Sequence, residues 1–156
     1  MNIIKSSFKK IIILIFIGSS IFHTNTLKSA EEIKIVYSIF SRTINVKELK
    51  EFGLYGNANK NLKRLLKLTN TKNDDIKEIL VKEFQIPLSI ASKLMYSEIG
   101  NVILTRLSKI IHTPNARDEK TAVLALRSSV IKGIDLGGGK INTITFFEGY
   151  PTKKVI

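Results

Sequence analysis

The chain is expected to be mainly α, a compact multi-helix array with a small N-terminal β-hairpin and, in its last residues, room for a short C-terminal strand. Three observations support this. From Val46 to Val130 apolar residues recur at three- and four-residue spacing, the period of a helix with one buried face. Strict alternation is confined to Ile33, Ile35, Tyr37 and Ile39. Glycine, proline and short polar residues divide the helical pattern into pieces of ordinary length.

Taken in order, the alternating stretch reads as a strand that Ser41–Asn45 returns as the second arm of a hairpin. Val46, Leu49 and Phe52 then form one face of a short helix that stops near Gly53 and Gly56. Leu62, Leu65 and Leu66 form the next face, opposed by Lys60, Lys63, Arg64 and Lys67. Asn73 or Asp74 can cap a third helix, with Asp74 and Asp75 at the positive end of its dipole and Ile76, Ile79, Leu80 and Phe84 inward. Pro87 opens a fourth, where its missing N–H costs little, with Leu88, Ala91, Leu94 and Met95 inward. Ser97 caps a fifth, which carries the clearest apolar stripe of the chain: Ile99, Val102, Ile103, Leu107, Ile110 and Ile111. Thr113-Pro114 breaks it. A sixth runs from about Asp118 to Lys132 with Ala122, Val123, Leu126 and Val130 inward. Gly137–Gly139 is a turn, Asn142 caps a last short helix bearing Ile144 and Phe147, and Pro151–Ile156 is an extended tail.

The first thirty residues are of a different kind. Met1–Lys10 holds three lysines and no acid, and an apolar block runs from Ile11 to Phe22. This is the basic and apolar layout of a secretory signal peptide. As a helix the block spans about 18 Å, short of the roughly 30 Å of a bilayer core. Residues 1–30 are therefore expected to be a signal peptide and 31–156 one helical domain, exported across the inner membrane. Ala30 is a suitable residue to cut after, but Lys28 stands where a second small residue is preferred. Cleavage after Ser29 or Thr26, and an uncleaved membrane anchor, stay open.

Composition narrows the chemistry. The 156 residues contain no cysteine, which excludes disulfides, thiolate metal sites and a cysteine nucleophile. The formal charge is +12; the four lysines and no acids of the first thirty residues leave +8 on the rest. That excess favours anionic partners, and the Lys60–Lys67 face could lie on an anionic membrane surface, although an ordinary surface helix with its lysines in water is the favoured reading.

No catalytic, cofactor-binding or metal-binding residue is assigned. Gly137–Lys140 resembles a phosphate loop only in passing: Ile134 stands where the first glycine belongs and Ile141 follows the lysine. His112 is the only histidine outside the leader and sits where a helix end would employ it. No Gly-x-Ser-x-Gly pentapeptide is present. The acid pairs Asp74/Asp75 and Asp118/Glu119 fall at helix starts, where capping accounts for them. No nucleic-acid-binding motif occurs, and export argues against that partner.

Several phrases, in order, carry a family likeness: Ile35–Tyr37, Ile44–Phe52, Phe84–Leu88, Leu94–Gly100, Ile110–Pro114, Ala125–Arg127 and Phe147–Thr152. Together they resemble the helical domain of unknown function at the N-terminus of exported cyanobacterial α/β-hydrolases. The likeness implies an export-linked accessory module, in the periplasm or thylakoid lumen, next to a hydrolase domain that carries the serine nucleophile. The matching portion holds no catalytic residue to carry over. Its implied partner is a separate hydrolase domain.

Overall fold

The computed structural model describes residues 29–37, 39–69, 72–114, 116 and 118–156. The expected signal peptide, residues 1–30, lies outside the described residues apart from Ser29 and Ala30.

The mainly α architecture is as the sequence predicts, with seven helices among the described residues. The chain opens with β1 (Glu32–Tyr37) and β2 (Phe40–Asn45), an antiparallel hairpin in which Ile33 stands opposite Ile44 and both are buried. The C-terminal tail supplies β5 (Lys154–Val155), which pairs parallel with β1 at Glu32 and Ile33 and gives the order β2-β1-β5.

Helix α1 (Val46–Tyr55) starts where the Asn45 side chain accepts a hydrogen bond from the Lys47 N–H, and stops at Gly56, whose φ of 74° suits only a residue without Cβ. In α2 (Lys60–Thr69), Leu62 and Leu66 are buried and the lysines face water, as an amphipathic surface helix requires. Helix α3 (Asn73–Val81) departs from expectation at both ends. Lys72, not Asn73 or Asp74, occupies its cap and makes no side-chain cap bond. Phe84 leaves the helix for β3 (Phe84–Gln85) and pairs opposite Ile141 of β4 (Lys140–Ile141), a small sheet that the sequence did not announce. Phe84 is exposed, and so is Ile79 at 62%; Leu80 is buried and Ile76 half-buried.

Helices α4 (Leu88–Met95) and α5 (Glu98–Ser108) form a tight corner. Ala91 and Met95 point inward as expected, but Leu88 and Leu94 point out. Ser97 caps α5 by accepting from the Gly100 N–H at 3.0 Å. A Cβ on Gly100 would lie 1.9 Å from the Leu94 carbonyl oxygen, so glycine is what lets the two helices meet. Arg127 braces the corner from behind, donating to the Met95 carbonyl at 2.9 Å and lying 4.5 Å over the Tyr96 ring.

The spine is α6 (Glu119–Leu136), which runs four residues past Lys132, where its periodicity placed the end. It packs on α4, α5 and α7 (Thr143–Glu148). Asp118 caps it by accepting from the Thr121 N–H, and hydrogen bonding from the Thr121 side chain, then from its backbone, holds the carboxyl below its ordinary pKa. Gly133 continues the helix because α7 crosses there: a Cβ would lie 2.9 Å from the Thr145 carbonyl oxygen. Asn142 and Thr145 form a reciprocal capping box at the start of α7. Two apolar clusters result. Met95, Leu104, Val123, Leu126, Tyr150 and Val155 belong to one, and Ile44, Phe52, Leu62, Leu66, Leu80 and Ile144 form the other.

The main correction concerns α5. An apolar stripe ordinarily faces the core, yet Ile99 is 68% exposed and Ile110 72%, with Val102, Ile103 and Leu107 also exposed. The buried line is Gly100, Leu104 and Ser108. The corner with α4 fixes this orientation, because Gly100 must face the Leu94 backbone and Leu104 and Ser108 follow it at four-residue intervals.

Candidate interaction surface

Three surface features could bear function. The first is a cleft of about 520 Å³ between the outer edge of β1 and the chain just beyond α5. Ile35, Val36, Ile110, Ile111 and Phe147 line it with apolar surface, and Lys34, Lys109 and His112 stand among them. Its back wall is the C-terminal strand. Ile156 and His112 are joined by two backbone hydrogen bonds, which tie the tail to the segment after α5. Because β5 covers β1 only at Glu32 and Ile33, the edge of β1 from Lys34 onward has no strand beside it among the described residues.

The second feature is the outward stripe of α5. The third is the row Lys60, Lys63, Arg64 and Lys67, which lines a shallow depression of about 390 Å³ on α2. The five ion pairs among the described residues involve Lys50, Lys82, Lys140, Lys153 and Lys154, so this row has no ion-pair partner among the described residues.

Other residues weighed in the sequence have structural work. The His112 ring Nδ1 lies 3.1 Å from the Thr113 carbonyl oxygen, in the turn after α5 and not at the helix end itself, since α5 already stops at Ser108. Gly138 and Gly139 adopt φ of 62° and 94°, and a Cβ on Gly137 would lie 2.1 Å from the Lys140 carbonyl oxygen, so this glycine run is a tight turn. The Lys140 ammonium meets Glu83 at 2.7 Å and is not directed at an anion site. Among the described residues no group of three histidine, aspartate or glutamate side chains is placed to hold a metal ion. Tyr150 is fully buried, its hydroxyl has no hydrogen-bond partner among the described residues, and burial pushes its pKa up to about 12.

The cleft was not legible in the sequence, because four separated stretches build it. One sign was available: Val36 falls on the solvent side of the strand's alternation and yet is apolar.

Residues 29–156 match a family model described as "Alpha/beta hydrolase of unknown function (DUF1400)", and the chain belongs to that family. No curated protein and no solved structure matches it. The described residues of the matched span hold one three-stranded and one two-stranded sheet within a helical array. The fold of this span is thus a helical, hydrolase-associated domain of unknown function, and its described residues form no large parallel sheet of the α/β-hydrolase kind.

Proposed function

We propose that the chain is an exported helical accessory module, non-catalytic by itself, that acts by binding an α/β-hydrolase domain. The observation that carries this reading is the apolar cleft beside β1, with an open strand edge on one wall and the Ile156–His112 pair on the other. Open edges and apolar clefts are where extended segments of partner proteins dock, backbone pairing supplying affinity and side-chain pockets specificity. The family description supports the choice of partner, since it names an α/β-hydrolase and the described residues of this span form only small sheets. Export to the periplasm or thylakoid lumen rests on the basic, then apolar, first thirty residues. Purified protein assayed on generic p-nitrophenyl esters should show no turnover above background. Robust turnover abolished by replacing a single serine would sink the reading.

The basic row on α2 favours a second reading, a module that rests on an anionic membrane surface. Each lysine or arginine near such a surface contributes about 1 kcal/mol, screened by salt. Binding to anionic vesicles should then weaken with salt and with Lys63→Glu; binding indifferent to both would remove this reading.

A further inference from the structure

We infer that a second copy of this chain packs its α5 against the α5 of the first, antiparallel about a two-fold axis near Ile103. The motive is an apolar face turned to solvent: Ile99, Val102, Ile103 and Leu107 of α5, with Ile90 and Leu94 also exposed on the preceding helix, α4. An exposed apolar face of this kind marks a contact site. Three properties of the face select a second copy as its occupant.

The first is its pattern. Residues 99, 103 and 107 form a four-residue ridge centred on Ile103. An isologous contact needs a self-complementary patch, and reversing this ridge about Ile103 lays Ile99 of one copy against Leu107 of the other. The second is charge. Glu98 stands exposed at the start of α5, and Arg106 and Lys109 stand exposed at its other end. None of the three has an ion-pair partner within the described residues. The same reversal brings Glu98 of each copy beside Lys109 of the other, so both ends gain an opposite charge. A parallel arrangement would set like beside like. The third is the helix dipole, since antiparallel helices place each positive end beside a negative one.

The contact is centred on the middle of α5 and uses no residue of β1; Lys109 alone is shared with the wall of the cleft. Self-association is read at Ile103 and Glu98, which do not line the cleft, so this inference and the hydrolase reading can fail separately.

The absence of cysteine gives a direct test. In the full chain, Ile103→Cys places two thiols near the axis, whereas Ile79→Cys puts an equally exposed thiol on α3. Mild oxidation should cross-link the first variant into dimers and leave the second monomeric; equal cross-linking, or none, overturns the proposal. Sedimentation equilibrium supplies the second arm. Glu98→Lys and Lys109→Glu should each weaken self-association roughly tenfold or more, and the two together should restore it. Failure of the double variant to recover, or a chain monomeric at about 100 μM, where contacts of micromolar affinity would be saturated, also overturns it. The α5 face would then belong to a different partner.

Discussion

Ile156 and His112 exchange both of their backbone hydrogen bonds: the Ile156 N–H donates to the His112 carbonyl at 2.7 Å, and the His112 N–H donates back at 3.0 Å. This pair closes the three-stranded sheet against the segment after α5, and Val155 beside it is almost wholly buried. The tail is therefore part of the core. Val155→Ala should lower stability by roughly 2 kcal/mol, at the lower end of large-to-small core losses. Urea unfolding checks this; a loss under about 0.5 kcal/mol would mean that the tail is only laid on the surface.

The orientation of α5 makes a sharper forecast. Leu104→Ala should cost roughly 3 kcal/mol, because Leu104 is 2% exposed in the main cluster. Ile99→Ala, on the stripe, should change the stability of the monomer by no more than about 0.5 kcal/mol. Comparative urea unfolding at low protein concentration decides it. The reverse order would put the stripe back in the core.

That pair of residues also shows what the sequence could and could not convey. Helix spacing, the caps at Ser97, Asp118 and Asn142, and the hairpin follow from local rules, because backbone groups next to these residues need partners wherever the helix ends up. Which face of α5 turns inward is not local. It depends on Gly100 passing under the Leu94 carbonyl, a contact set by the corner. Gly100, Leu104 and Ser108 make a thin line in the sequence beside a far richer stripe, so apolarity alone selects the wrong face. The same holds for Phe84, which pairs with Ile141 across a large stretch of chain, and for the cleft, assembled from both ends of the domain.

Tyr150 links stability to alkaline pH. Its folded pKa of about 12 lies above the ordinary value of 10, so between these limits the unfolded chain loses the phenolic proton and the folded chain keeps it. Stability should therefore fall as pH rises above 10, by roughly 1.4 kcal/mol per pH unit from this group. Tyr150→Phe removes the ionisable group together with a buried hydroxyl that has no partner among the described residues, so the variant should be no less stable at pH 7 and should lack this share of the alkaline loss. Denaturation curves at pH 7, 10 and 11 make the comparison. Identical pH dependence in the two proteins would contradict the assignment.

Ser29 and Ala30 bear on where the proposed signal peptide would be cut. Ala30 is 4% exposed in the main cluster, and the Ser29 hydroxyl donates to the Glu148 carbonyl. Cutting after Ala30 or Ser29 would remove residues that the folded domain uses. Of the sites the sequence offers, Thr26 leaves both in place. Mass spectrometry of the exported protein should find an N-terminus at Leu27, and one at Glu31 would show that the domain does without this packing.

The central claim is that the domain works by binding a hydrolase domain through the cleft beside β1. The most direct measurement is a calorimetric titration of the full chain with the catalytic domain of a family member that carries both parts. Saturable one-to-one binding in the micromolar range or tighter is predicted, weakened at least roughly tenfold by Val36→Asp, which puts a charge where the bound partner would have to desolvate it. No binding, or binding indifferent to Val36→Asp, would contradict it.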